Sequence, residues 1–116
     1  MATPTVYTPK ALVTPSQLAG TAGTIYTVAA STTTQINQII LVNDTTSAVT
    51  ATLYLVESGG SAGVANLLLN AKTIPTDGSP LIYEFTQLFM DTGDTLQALA
   101  STADQVTIHL TGVELT

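Results

Sequence analysis

The sequence has no cysteine and no tryptophan, a single histidine, and only two cationic side chains, Lys10 and Lys72. Without cysteine the chain can form neither a disulfide nor a cysteine-based metal site, and His109 alone cannot build a zinc site. The net charge of −6 argues against binding to nucleic acid or to an anionic membrane. The scarcity of nucleophiles, bases and metal ligands therefore predicts a protein that is not an enzyme and carries no cofactor.

Long apolar runs and a targeting signal are also missing from the sequence. No apolar run approaches the ~20 residues of a membrane-spanning helix. The first residues, 1–5, lack the basic and apolar regions of a secretory signal peptide. We therefore expect no membrane partner and expect the protein to be made and first used inside a cell.

Threonine, in contrast, occupies 23 of the 116 positions, and its branched β-carbon suits a pleated sheet. Polar and aliphatic residues alternate in several segments, most clearly in residues 49–55. Turn residues recur every 8–12 residues, a spacing typical of antiparallel sandwiches. At this length we expect one domain with one core. The sequence therefore predicts an all-β fold, an antiparallel β-sandwich or jelly roll of about eight strands.

The strand assignments follow from this alternation. Residues 34–43 are apolar on both faces, which predicts a central strand, and the turn at 43–47 predicts a hairpin with the strand that follows. Gly112 is expected to form a bulge that reverses the last strand's alternation. The predicted strands are 24–29, 34–43, 49–56, 69–74, 81–85, 95–101 and 106–115.

Two segments between these strands are less regular. Residues 64–69 fit a helical turn as well as a strand, because periodicity cannot separate the two in so short a run. A hairpin-type turn is expected at residues 76–79. Residues 87–90 are expected to form a corner or a single helical turn over one end of the core.

Residues 1–23 are predicted to form an extended N-terminal arm, and residues 24–116 the sandwich domain. Prolines 4, 9 and 15 exclude a persistent helix or central strand. An extended segment with occasional hydrophobic residues suits docking on a neighbouring subunit, although terminal segments also commonly fray or pack on their own domain. The side chains predicted to bind a partner lie in the arm and on two strands: Tyr7, Leu12, Val13, Leu18, Tyr26 and Tyr54.

The composition also predicts an unusually neutral surface. Apolar residues make up 45% of the chain and charged residues only 9%, whereas soluble domains usually carry about 25% charged residues. A neutral surface gives up charge-based solubility. Two compatible interpretations remain open: much of the surface faces other subunits, or the protein was selected for chemical ruggedness outside a cell or in a virus.

Few residues could carry chemistry. Asp91 and Asp94 flank a glycine turn and are the best candidates for calcium, but these residue types are also ordinary in turns. Glu84 could form a glycosidase-like pair with Glu57 or Asp94, although nothing in the sequence brings them together. His109 is expected to point outward from the last strand. We therefore predict no catalytic residue and no metal site.

Two further patterns have a simpler alternative. The glycine-rich residues 59–63 resemble a phosphate-binding loop only in composition, since no lysine follows. Tyr26 and Tyr54 could stack against a sugar if both reached one outer face. Packing across strands or a contact between subunits is the alternative that we favour for them, because sugar-binding sites usually add tryptophan.

Several stretches of the chain carry hydrophobic residues and turn residues in an order that is similar to that of a known class of protein. They are residues 6–12, 24–28, 30–34, 39–43, 55–60, 92–98 and 111–115. Through them the whole chain resembles small structural proteins of tailed-bacteriophage virions, which include head-decoration (cement) proteins and tail-associated proteins. The resemblance rests on a glycine–aspartate turn before a late strand and on hydrophobic pattern rather than on any catalytic motif.

The resemblance implies a compact β-sandwich added to a larger shell or tube. The expected function is capsid decoration, in which a homotrimer binds the major capsid protein or other virion proteins and stabilises the head. A tail, baseplate or fibre component involved in attachment is the alternative, and a non-viral carbohydrate-binding or adhesion module is a third possibility. The expected location is the virion, after assembly in the host cytoplasm.

Overall fold

The computed structural model describes residues 6–116, and for residues 14, 15, 86 and 87 it describes the backbone alone. The described residues form eight strands and one 3-10 turn at Val64–Asn66. The strands are β1 (Tyr7–Gln17), β2 (Gly23–Thr27), β3 (Thr33–Asn43), β4 (Val49–Val56), β5 (Leu67–Ile74), β6 (Leu81–Met90), β7 (Thr95–Ala100) and β8 (Val106–Leu115).

The strands form two four-stranded antiparallel sheets. One sheet has the order β1-β8-β3-β6 and the other has the order β2-β7-β4-β5. The all-β prediction is therefore confirmed, and so is the central position of β3, which lies between β8 and β6. The ambiguous residues 64–69 divide between the 3-10 turn and the start of β5.

The predicted hairpin between β3 and β4 is wrong, because the two strands lie in different sheets. The turn after Asn43 carries the chain across the core instead. The buried Asn43 side chain accepts hydrogen bonds from the backbone N–H and the hydroxyl of Thr45 and donates one to the carbonyl of Ser47. The turn at residues 76–79 likewise leads from β5 to a strand of the other sheet.

One hydrophobic core lies between the two sheets. Alternate residues of β3, β7 and β8 are fully buried, so each of these strands presents one face to the interior. The largest side chains of this core come from both sheets: Leu18, Ile36, Ile39, Leu41, Leu53, Ile74, Met90, Leu96, Ile108 and Leu110.

The described part of the predicted arm contains strand β1, which pairs antiparallel with β8 of the same chain. Leu12 and Leu18 join the core. Pro9 lies in an edge strand, where proline is tolerated. Residues 1–5 of the predicted arm lie outside the described residues, and the domain boundary at residue 23 stays a prediction.

Strand β6 is longer than predicted. The corner expected at residues 87–90 is wrong, since Leu88 and Phe89 pair with Ile36 and Gln35 of β3. Between residues 84 and 88 the register shifts, with more residues in β6 than in the facing part of β3. This bulge hid the continuation of the strand from the alternation pattern.

The bulge predicted at Gly112 lies in the neighbouring strand instead. Ile36 pairs with Gly112 and Gln38 with Thr111, so the extra residue is Asn37 of β3. Glu114 points inward to Tyr26, as Ile108 and Leu110 point into the core, so the side-chain direction of β8 does not reverse at Gly112, although Val113 is buried as well. A Cβ atom at this position would collide with the carbonyl oxygen of Gln35 and lie 3.0 Å from Leu12 Cδ1. Glycine is thus needed here for close approach of the β3 backbone.

A candidate interaction surface

The β1-β8-β3-β6 sheet has one face toward the core and one face away from it. In β8 the side chains of Ile108 and Leu110 are buried, so those between them point outward. In β3 the same reasoning places Ile40 outward, between buried Ile39 and Leu41. We call the side of this sheet that points away from the core the outer face.

Pairing registers arrange the outer-face side chains in rows across the strands. One row joins His109, Ile40 and Ile82, and the next joins Thr111, Gln38 and Glu84. Further toward the chain termini, the rows contain Pro9, Val113, Gln35 and Phe89, and then Tyr7, Leu115 and Thr33. The side chains of these four rows include three titratable groups: the carboxyl of Glu84, the imidazole of His109 and the phenol of Tyr7.

Large apolar side chains on the outer face remain exposed. Tyr7 is 62% exposed, Phe89 is 52% exposed and Ile82 is 47% exposed. The folding of the described chain does not account for these three residues, because they pack against no core. Ile82 and Phe89 lie on β6 on either side of the Glu84 row, and Tyr7 lies on the opposite edge strand, β1. Exposed apolar side chains on one face are a feature of contact surfaces between proteins.

Acidic residues are concentrated at the two ends of the molecule. Hydrogen bonds join the loops at each end, for example from the backbone N–H of Asp77 to the carbonyl of Thr45 and from that of Val28 to the carbonyl of Asp94. Six of the eight acidic residues lie in these loops: Asp44, Asp77 and Asp104 at one end, and Glu57, Asp91 and Asp94 at the other. The outer face between the ends is nearly free of charge.

Opposite the outer face, a polar cluster connects β1 with the strands around it. Tyr26 donates a hydrogen bond to Glu114 Oε2 at 2.6 Å, and the Thr34 hydroxyl lies 2.7 Å from the phenol oxygen. Because the single phenol proton goes to the carboxylate, the Thr34 hydroxyl is the donor to Tyr26. Lys10 Nζ lies 3.0 Å from Glu114 Oε1. The cluster thus links residues of β1, β2, β3 and β8 across both sheets.

Tyr26 and Glu114 of this cluster are not suited to proton transfer at neutral pH. Burial and the hydrogen bond to the Glu114 carboxylate raise the pKa of Tyr26 to about 12. Hydrogen bonds from Tyr26 and Lys10 hold the pKa of Glu114 below its usual value. General acid–base catalysis works best with a pKa near the operating pH. The arrangement therefore fits a structural role, as a clamp on β1.

The six residues predicted to bind a partner fall in different environments. Leu18 is fully buried, Leu12 is 9% exposed and Tyr26 is 8% exposed, and all three belong to the core of their own domain. Val13 is half-buried and packs against this core. Tyr54 is half-buried in β4, opposite Gln97 and Leu67. Among the six, Tyr7 is the exposed side chain.

These positions separate the two tyrosines considered for sugar stacking. Tyr26 points into the space between the sheets, where it bonds to Thr34 and Glu114. Tyr54 lies next to Leu55, whose side chain packs against the core, and pairs with residues of β5 and β7. The two rings do not form one outer platform.

The acidic turn predicted as the best calcium candidate is held by its own hydrogen bonds. Asp94 accepts the backbone N–H of Asp91 at 2.9 Å and that of Ser58 at 3.1 Å. Over residues 6–116 no cluster of three or more histidine, cysteine, aspartate or glutamate side chains could hold a metal ion. Glu84 lies on the outer face, whereas Glu57 and Asp94 belong to the end loops.

The glycine-rich loop leads into the 3-10 turn and borders an open groove of about 460 Å³. Asn66 fixes this loop, since its amide donates to the carbonyl of Ser61 and accepts the backbone N–H of Gly63. Val64 is 87% exposed at the tip.

In the part of the chain that the structure describes, no helix is long and apolar enough to cross a membrane.

Sequence reasoning missed the Lys10–Glu114–Tyr26–Thr34 cluster. A signal for it was available, because Glu114 is an even number of positions from buried Ile108 and Leu110 and therefore lies on the same side of the last strand. An acidic residue at an inward position requires a partner. Its partners Tyr26 and Lys10 lie 88 and 104 positions away along the chain, and only the fold identifies them.

Comparisons with known proteins give a limited picture. No protein-family model matches this chain, and no curated protein matches its sequence. The fold is similar to chains in solved structures of infectious bursal disease virus, of the Gt strain (TM-score 0.48, 14% identity) and the Gx strain (TM-score 0.48, 16% identity). Each similarity covers 95% of this chain but 32% and 30% of those chains. This chain therefore spans about a third of their length, and so distant a likeness supports no inference about function.

Proposed function

We propose that this chain is a non-enzymatic structural protein of a virion, and that it decorates and stabilises the head shell as a cement protein. The observation that carries the proposal is the outer face, where Tyr7, Ile82 and Phe89 are exposed and where charge is almost absent. A protein that works alone in solution gains nothing from such a surface. A subunit that packs permanently against neighbours does.

The strand order supports a jelly roll as the finer description of the fold. The pairs β1·β8, β2·β7, β3·β6 and β4·β5 are those of one long hairpin whose two arms each contain four strands. Rolling up this hairpin adds the pairs β3·β8 and β4·β7, which complete the two sheets. Jelly rolls occur in viral capsid and lectin domains. This support is an analogy between folds.

The partners in this proposal are the major capsid protein or other virion proteins, with three copies of the chain as the assembling unit. A cement protein binds the assembled shell and not its dissociated subunits, so it stabilises the shell by mass action. At a free concentration 100 times Kd, this contribution is about 2.7 kcal/mol per site. The proposed location is the virion, with assembly in the host cytoplasm.

The second candidate function is a tail, baseplate or fibre component. One observation favours it: the loop at residues 57–66 carries the most exposed of the large apolar side chains described, Val64, beside an open groove. A protruding apolar loop at the end of a subunit suits contact with a receptor or with a tail protein. In this function the outer face would still pack against neighbouring subunits.

Binding to isolated viral parts tests the proposal and separates the two candidates. The purified chain is mixed with empty shells of the major capsid protein from the same virus and, separately, with tails, and both are sedimented. We expect saturable co-sedimentation with the shells and a higher temperature for shell disruption. Binding to tails alone would favour the attachment function, and binding to neither would contradict a virion role.

A further inference from the structure

The outer face has the chemistry of a contact between identical copies of this chain. Each copy carries a net charge of −6, so two copies repel one another wherever their acidic residues meet. Six of the eight acidic residues lie in the end loops, and Glu84 is the acidic residue of the outer face. Like charges placed across an interface cost several kcal/mol. Association of copies is therefore less opposed through a sheet face than through the end loops. The strands of the other sheet also lack acidic residues, but the large apolar side chains that remain exposed on strands, Tyr7, Ile82 and Phe89, lie on the outer face.

The sheet edges offer a poor alternative route for association. Val6 and Thr116 exchange two backbone hydrogen bonds of 2.9 Å, which makes them a hydrogen-bonded pair of the β1·β8 ladder. Alternation along the ladder then directs the nitrogen of Pro9 away from β8, toward the open edge. Proline has no N–H to donate there, so β1 cannot be extended by a regular strand.

The other three edges are interrupted as well. Strand β6 has its bulge between residues 84 and 88. In β5, Ala71 has a φ of +46° and Lys72 is exposed. Strand β2 has only five residues and a register shift. Short, bulged or charged edges resist pairing with another sheet, so a partner meets this subunit through a face rather than an edge.

The size of the outer face suits a stable contact. Four strands at ~4.8 Å spacing and roughly ten residues at ~3.3 Å give a footprint of about 600 Å². Standard interfaces bury about 800 Å² per partner, and a specific interface should exceed about 500 Å² per partner. The outer face therefore lies between the lower limit and the standard size. A basic partner protein, in contrast, would be drawn to the acidic end loops.

We infer that the outer face of the β1-β8-β3-β6 sheet is the self-association surface of this chain, covered by a second copy in the assembled state. Phe89 and Ile82 are its apolar anchors on β6, and Tyr7 is the anchor on β1. The inference rests on the proposed function for its biological setting, because a shell component acts as an oligomer. It leaves the acidic end loops and the groove beside residues 57–66 free for other virion proteins.

The test compares matched single substitutions in the full chain. Phe89→Glu and Ile82→Glu each place a carboxylate on the outer face, whereas Val64→Glu places the same charge on an exposed apolar site outside it. The mass of each variant is measured by sedimentation equilibrium over a wide concentration range, and circular dichroism confirms that it is folded. We expect at least a tenfold weaker association for Phe89→Glu and Ile82→Glu, and no change for Val64→Glu.

Each other outcome overturns the inference. A wild-type chain that stays monomeric at all concentrations contradicts it, and so do folded Phe89→Glu and Ile82→Glu variants with wild-type mass. If one of them fails to fold, Tyr7→Glu on β1 replaces it. Shell binding is scored separately: an oligomer that depends on the outer face but binds no viral part would retain the inference and reject the proposed function.

Discussion

The two faces of the β1-β8-β3-β6 sheet are built from the same strands but have different roles. On the inner face, Ile39 and Ile108 are fully buried against the opposite sheet. On the outer face, Ile82 and Phe89 are equally apolar but about half exposed. Folding of a single chain explains the first pair and leaves the second unexplained. The comparison therefore separates residues that form the domain from residues available to join it to another.

Ile39 and Ile40, which are neighbours in β3, should show the largest difference between the two faces. Ile39→Ala removes a fully buried side chain and should lower the free energy of unfolding by about 2–5 kcal/mol. Ile40→Ala, on the outer face, should lower it by less than about 1.5 kcal/mol in the dilute monomer, since Ile40 is half-buried. Urea unfolding of both variants measures the difference, and equal losses would contradict the assignment of faces.

Gly112 tests how closely the strands approach one another on the inner face. Gly112→Ala brings a Cβ atom against the carbonyl of Gln35 and close to Leu12, so we expect a loss of about 1–3 kcal/mol. Gly63→Ala is a matched control, because nothing lies within 4 Å of a Cβ at that position. Thermal unfolding of the two variants decides, and a neutral Gly112→Ala would refute the close approach of β3.

Tyr26 should make the free energy of unfolding fall at alkaline pH. Its folded pKa is raised to about 12, whereas an unfolded tyrosine titrates near 10. The neutral phenol therefore contributes stability fully below pH ~10, and this contribution is lost as the pH rises toward about 12.

Tyr26→Phe removes both the alkaline loss and the hydrogen bonds of the phenol. We expect it to lower the free energy of unfolding at neutral pH by about 1–3 kcal/mol and to flatten its decline between pH 10 and 12. Tyr54→Phe serves as the control. A parallel decline in Tyr26→Phe and wild type, measured by urea unfolding at each pH, would contradict the alkaline loss assigned to ionisation of Tyr26.

The smallest effect is expected on the outer face itself. His109 lies in a row with Ile40 and Ile82 and is half-buried, so His109→Ala should change the stability of the monomer by no more than about 0.5 kcal/mol. Shell binding should also persist. Loss of a measurable hydrolytic or transfer activity in this variant would instead show that the chain is an enzyme.

Alternation in the sequence was sufficient for much of the sheet structure. Strands β3, β4 and β8 were predicted close to their observed bounds. Apolar and polar residues alternate in β4 and β8, and β3 is a run of apolar residues that ends at a turn. Strand β1 was assigned to an arm because its prolines conceal the strand pattern, although an edge strand tolerates them. The hairpin prediction for β3 and β4 failed because a local turn signal does not reveal which sheet the chain enters next.

The candidate surface could not be identified from the sequence. The run Ile39-Ile40-Leu41 is apolar on both faces, and a central strand covered on both sides would look the same. Only the pairing registers show that Ile40 belongs to a row with Ile82 and that Phe89 continues the outer face two rows away. Exposure is a property of the whole fold, which local periodicity does not contain.

The most direct measurement is cryo-electron microscopy of the assembled particle with every copy of this chain traced in the map. The outer face should be covered by protein, with Phe89, Ile82 and Tyr7 buried at a contact between copies and the acidic end loops outside that contact. A map in which the outer face is open to solvent, and the copies meet through their end loops, would contradict the central claim.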